Sequence, residues 1–325
     1  MALKYSVLPR LREDICRFAL PVLAALWAAG CEAPLDLSGV QRELAQPVHR
    51  YDQLQAVARK GAQVVVVGDA GVVLVSPDDG RTWQRLALPG QPALIDLSRC
   101  PDGRYVALDA GRQIWFSDTA AANWQAVAVE TGEAVLALTC DPRNRIWVVG
   151  GFSTILSSAD DGASWSEYSF GDDIQLTSVQ FVDADNGYVT GEFGLVLKTT
   201  DGGASWEPAA VLPGEFYSQD AHFVDARRGW AVGLNGAVFH TADGGDSWQT
   251  QDSGTNLPLY GIAGAGETLF AVGENGTVLR YRDGSWKRLP HDNDVLSYLR
   301  GVSPGGDGVL LAGGNGTLFN LATGG

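Results

Sequence analysis

Histidine is scarce in these 325 residues, with four copies, and so is cysteine, also with four. His49, His222, His240 and His291 are scattered, and no C-x-x-C or H-E-x-x-H sets ligands at metal-binding spacing, so no metal and no other cofactor is expected. Four cysteines are too few to staple a chain of this length into a disulfide scaffold. Basic residues are outnumbered, 23 Lys and Arg against 38 Asp and Glu, and the formal charge of −15 argues against a general affinity for nucleic acid. A nucleophile elbow G-x-S-x-G, a P-loop and a G-x-G-x-x-G between strand and helix are all missing. The one long apolar run, Phe18 to Ala29, is too short to span a membrane comfortably.

What is present is a repeat. Hydrophobic residues make up 45% of the chain and charged ones 19%, and 41 glycines suit the many turns of an all-β array. Val189 to Trp206 holds the phrase most fully: strand end, tight turn at Gly191-Glu192-Phe193-Gly194, strand, then a second turn of form S/T-x-D-x-G-x-S/T-W. In that turn the Asp can accept bonds from backbone N–H groups, the Gly can take φ > 0, and the Trp can wedge between sheets. The closing tryptophans Trp83, Trp124, Trp165, Trp206, Trp248 and Trp286 lie 41, 41, 41, 42 and 38 residues apart. The turn is intact around Asp78, Asp160, Asp201 and Asp243; it has decayed at Ser117 to Trp124, with Thr119 and Ala121 at the Asp and Gly positions, and is two residues short at Tyr281 to Trp286. A seventh copy starts near Leu310 without a closing Trp. About 40 residues per repeat, read as four short strands, is the signature of a propeller blade, so the expected fold is an all-β, seven-bladed β-propeller of four-stranded antiparallel blades.

The blades are expected at Leu54 to Leu88, Ala93 to Val129, Ala134 to Phe170, Leu176 to Val211, Tyr217 to Thr250, Leu259 to Leu289 and Tyr298 to Leu321, the last with three strands. An N-terminal strand over 41 to 48 would close it, because an open edge exposes unpaired backbone groups. Residues 1–30, with Lys4, Arg10, Arg12 and Arg17 before the apolar run, form a lipoprotein-type signal peptide. Ala28-Ala29-Gly30-Cys31 resembles a bacterial lipobox, which implies lipidation at Cys31 and a membrane-anchored protein of the cell envelope facing the periplasm, or the thylakoid lumen in a photosynthetic source. Residues 31–40 would be a tether and 41–325 the propeller. Cys100 and Cys140 sit at strand ends of successive blades, where they can form a disulfide or remain two buried thiols.

Connectivity puts first-to-second and third-to-fourth loops at one end, and second-to-third turns with blade links at the other. The first end carries Arg59, Lys60, Arg104, Arg143, Arg145, Arg227 and Arg228; the other carries Asp69, Asp109, Glu192 and Glu274 with Glu130, Glu133, Asp172, Asp173, Glu215, Asp292 and Asp294. Arg104, Arg143, Arg145, Arg227 and Arg228 are therefore the candidate partner-binding residues; Arg143, Arg145, Arg227 and Arg228 lie outside the buried alternation, where replacement should cost little stability. No catalytic residue is identified: the box aspartates recur where each serves its own turn.

The S/T-x-D-x-G-x-S/T-W box is the Asp-box, or bacterial neuraminidase repeat. The longer phrase Phe223 to Gly233 followed by His240 to Trp248, with its counterpart Phe181 to Tyr188, resembles the photosystem II stability/assembly factor family. That resemblance, over residues 41 to 325, implies an exported, often lipid-anchored, non-catalytic scaffold that binds a protein client of a membrane or envelope complex through a basic patch. Strong acidity and a partial basic arc depart from the family pattern. Two alternatives compete: a sialidase-like glycoside hydrolase, whose F/Y-R-I-P signature is missing here, and a propeller sensing a small ligand or cation on its acidic end.

Overall fold

The computed structural model describes residues 35–306 and 308–323, and the chain divides at Gln46 into a short N-terminal unit and the body from Pro47 onward. The body is the propeller. Seven antiparallel sheets follow one another in sequence order, six of four strands and the last of three, each a simple meander. Blade one has strands Leu54–Lys60, Gln63–Gly68, Val72–Ser76 and Gln84–Ala87, within a few residues of the expected positions. In every blade the second strand is buried on both faces, as at Val64 to Val67 and Ile146 to Val149, so it reads as a continuous apolar run. Fourth strands are outermost and largely exposed, as at Ser166–Ser169.

The core is one apolar layer per seam. Val65, Val73 and Leu88 of blade one meet Leu94, Tyr105 and Trp115 of blade two. Trp147 and Ile155 of blade three meet Leu176, Val189 and Trp206 of blade four, with the two indoles edge to face at 5.8 Å. The seam that closes the ring is built the same way: Leu310 and Ala312 of blade seven pack on Leu54, Val64 and Leu74 of blade one, with Trp83 against them.

The N-terminal segment corrects one expectation. Ser38–Leu44 is an α-helix, and no fourth strand joins Leu318–Ala322 among the described residues. Gln41-Arg42-Glu43-Leu44 are all good helix formers, and the Asp36 carboxylate accepts from the Ser38 N–H (2.9 Å) just before the first turn. The ring closes instead at the level of its links. The Gly316 N–H donates to the Asp52 carbonyl (2.8 Å), as the Gly71 N–H donates to Pro92 and the Gly194 N–H to Phe216 between other blades (both 2.6 Å). Asn320 donates to the Asp79 carbonyl (2.8 Å), and Arg85 makes a two-pronged contact with the buried carboxylate of Asp52 (2.7 and 2.9 Å).

Glycine is required where a blade link crosses the second strand. At Gly150 a Cβ would sit 1.9 Å from the Ala134 carbonyl oxygen, and at Gly313 2.0 Å from that of Tyr298. Cys100 and Cys140 are joined as a disulfide, their Cα atoms 5.1 Å apart, which ties blade two to blade three. The signal peptide and residues 31–34 of the tether, Cys31 among them, lie outside the described residues.

Candidate functional site

The box turns set the loop geometry at the arginine-bearing end. In blade three Ser158 Oγ donates to Asp160 (2.8 Å) and accepts the Gly162 N–H (2.8 Å), while the two oxygens of Asp160 take the Ser164 N–H (2.9 Å) and hydroxyl (2.6 Å). Asp78, Asp201 and Asp243 repeat the pattern, each spending its carboxylate on its own turn. The serine hydroxyl and N–H hold Asp201 and Asp243 down to about 2. The decayed copy in blade two keeps the turn by moving the acid one place. Asp118 accepts from the Ala122 N–H (2.9 Å) and the Asn123 amide (2.7 Å), and Ala121 takes φ 56° where glycine would stand.

The candidate arginines come to this end of the propeller, but on separate seams and mostly engaged. Arg104 bonds Asp102 (2.7 Å) and reaches Asp161 of the next blade with both terminal nitrogens (3.1 and 2.9 Å), so its pKa is raised. Arg143 crosses to Asp185 (2.8 Å) and the Ala184 carbonyl of blade four. Arg145 binds the fully buried carboxylate of Asp141 (2.6 Å), lies 5.0 Å over Trp147, and donates to the Gly202 carbonyl (2.6 Å). Arg228 bonds Asp225 (2.8 Å) and reaches Glu267 of blade six (3.0 Å). Arg59 pairs with Asp79 and donates to Ser303 of blade seven (3.3 Å). These are latches between blades. Arg227 differs: it is exposed, and its side chain has no hydrogen-bond or ion-pair partner among the described residues.

Sequence reasoning missed the central channel. The first strand of every blade carries an irregularity in register near its start. The residues there, Gln55, Ile95, Leu136, Thr177, Gln219, Tyr260 and Arg300, ring the channel mouth at the end opposite the arginine latches. Arg300 is the charged member of that ring. Deeper, Asp96 and Asp220 line a cavity of about 250 Å³. Each acid bridges blades, Asp96 accepting the Leu138 N–H (2.8 Å) and Asp220 the Ile262 N–H (2.9 Å). Burial pushes Asp220 up to about 6, against the pull of those N–H groups, and pushes His222 down to about 4. The sequence carried a weak signal: aligned on the starts of their first strands, the copies are neutral at the two ring positions except for Asp96, Asp220 and Arg300.

On the acidic end several expected charges are engaged or enclosed. Asp109 is buried and takes the Trp115 indole N–H (2.8 Å). Glu192 caps the Gln175 N–H (2.9 Å), and Glu274 accepts from Tyr260 (2.9 Å). Among the described residues no group of three or more His, Cys, Asp or Glu is placed to hold a metal ion.

Residues 96–200 and 209–282 match the family of Photosynthesis system II assembly factor YCF48, more than half of the chain. The chain belongs to this family. Solved structures agree on the fold. YCF48 from Cyanidioschyzon merolae is 18% identical, over 85% of this chain and 96% of that one, with a TM-score of 0.68. A structure of YCF48 bound to D1 peptide is 14% identical over 86% and 93%, also at 0.68. The fold is shared with an enzyme as well. The virginiamycin B lyase of Staphylococcus aureus, in a catalytically inactive form with Quinupristin, is 15% identical over 84% and 96%, with a TM-score of 0.71. Comparison with curated proteins finds no match.

Proposed function

We propose that this YCF48-family propeller is a non-catalytic assembly factor that holds a segment of a protein client against its arginine-bearing end. Family membership carries the reading, and a YCF48 structure bound to D1 peptide supports a peptide segment as the kind of ligand such a propeller takes. Within that end, Arg227 is the residue poised for a client carboxylate, since its guanidinium is exposed and uncommitted. Arg143 and Arg228, with side chains 47% and 41% exposed, lie at the same end, and their guanidinium N–H groups can be shared between their present acceptors and an arriving carboxylate. Arg104 and Arg145 position the loops rather than meet the client.

Export and acylation at Cys31 would hold the propeller at a membrane of the cell envelope, facing the periplasm or the thylakoid lumen, beside the client complex. The test is recovery of the client from solubilised envelope with tagged wild type and with Arg227→Ala, beside thermal melts. The proposal expects client loss at an unchanged melting temperature. Full recovery with the variant would move the client off this end.

A further inference from the structure

We propose that the opposite end of the propeller, over blades three to five, docks a cationic amphipathic segment of a second protein. Four large apolar side chains stand in the open there: Phe152 (49% exposed), Phe193 (57%), Val211 (59%) and Leu234 (40%). Phe152, Phe193 and Leu234 occupy the second-to-third turns of three successive blades, and Val211 belongs to the link between blades four and five. The arc is tied together by backbone. The Ser153 N–H donates to Ile174 (2.9 Å), and the following link residue, Gln175, donates to the Glu192 carboxylate (2.9 Å) beside Phe193. Val211 lies across the same turn, its Cγ1 3.0 Å from where a Cβ on Gly194 would stand. Gly233, next to Leu234, packs against Phe216 and the Tyr217 carbonyl at the end of that link.

Two of these rings stand on backbone that does not suit them. Phe152 and Phe193 have φ of 50° and 55°, in the left-handed region that is costly for a bulky L-residue. Blades five, six and seven place Asn235, Asn275 and Asn315 at the position of Phe193, with φ of 57°, 51° and 56°, and asparagine tolerates that conformation. Folding therefore gives no reason for phenylalanine at 193: the ring is exposed and sits where a smaller polar residue would be less strained. Strain retained together with exposed apolar surface points to recognition.

Charge specifies the partner. The turns and links that make this sector, residues 150–154, 170–176, 191–195, 209–217, 233–237 and 251–258, contain Asp172, Asp173, Glu192, Glu215 and Asp252 and no lysine or arginine. An apolar arc with an acidic surround fits a segment whose apolar side chains alternate with Lys or Arg, and it repels an anionic lipid surface. This end faces away from the arginine latches, so the inference stands independently of the client site proposed above.

The probe is a fluorescein-labelled 18-residue peptide of leucine and lysine in amphipathic helical order, with a leucine and glutamate counterpart, titrated against the full-length protein. Wild type should bind the lysine peptide and not the glutamate peptide. A Phe152→Asn/Phe193→Asn double variant, identical in net charge, should bind it at least tenfold more weakly while melting no lower than wild type. Equal binding by wild type and the double variant would overturn the proposal, as would equal binding of both peptides or failure of wild type to bind the lysine peptide. A lower melting temperature for Phe193→Asn would show that the ring serves the fold. Binding to anionic vesicles that is lost in the double variant would assign the arc to a membrane.

Discussion

Arg145→Ala separates an arginine that holds blades together from one that is free to bind. Asp141 is fully buried and receives four bonds, from Arg145 Nε (2.6 Å), the Trp147 indole (3.1 Å), and the N–H groups of Arg143 (2.8 Å) and Arg145 (3.0 Å). Truncating Arg145 removes the one cation among these donors, a contact across the seam to Gly202, and the stacking on Trp147. Breaking a buried pair costs about 3–5 kcal/mol when the remaining charge is stranded. Here three neutral donors remain and the Arg145 side chain is 27% exposed, which lowers the expectation to about 2–3 kcal/mol. For a domain of this size that is a fall in melting temperature of about 3–5 °C. Arg145→Lys, which keeps the charge but cannot reach two acceptors in a fork, should fall between. Arg227→Ala should stay within about 0.5 kcal/mol of wild type. Circular dichroism melts at pH 7 decide it: an Arg145→Ala protein melting within a degree of Arg227→Ala would refute the latch.

Gly203→Ala should destabilise by about 2–4 kcal/mol, since its Cβ would lie 2.1 Å from the Trp147 ring of the neighbouring blade and φ is +83°; urea unfolding measures it. With Asp201 and Asp243 held near 2 in the fold against an ordinary 3.8, the unfolded chain binds more protons between those values. Their stabilisation is complete above about pH 4–5 and is lost as pH falls toward 2, and Asp201→Asn/Asp243→Asn should flatten the acid limb of a urea-midpoint profile. Replacing Cys100 and Cys140 by serine opens a loop of separation 40, worth about 4 kcal/mol in chain entropy, and should lower the urea midpoint to that of reduced wild type.

The fold was legible because each copy repeats its own punctuation. The tryptophan spacing and the box turn locate six outer strands, and the buried second strands announce themselves as apolar runs. Closure was not legible. Expecting a strand over 41 to 48 from the open edge ignored the helix propensity of Gln41 to Leu44, and the seam through Leu310, Ala312 and Leu54 is packed without an added strand among the described residues. The loops bearing Arg104, Arg143, Arg145, Arg227 and Arg228 were legible from connectivity, whereas most of their commitments were not, because several acceptors lie on the next blade. Asp161 is 57 residues from Arg104, and Glu267 is 39 from Arg228. Arg145 was expected to cost little on replacement; Asp141 is only four residues away, but its full burial shows in the fold and not in the sequence, and that overturns the expectation. The channel ring escaped notice because its members share a position and no chemistry.

The most direct measurement of the client site is photo-crosslinking in the intact envelope, with a photoreactive residue placed at Arg227 and, in a second protein, at Gln91, exposed in the link between blades one and two at the opposite end, followed by mass spectrometry of the adducts. The proposed function predicts one dominant protein adduct from position 227, mapping to a single segment of the client, and little of it from position 91. No discrete adduct at 227, or the same set of adducts from both positions, would contradict it.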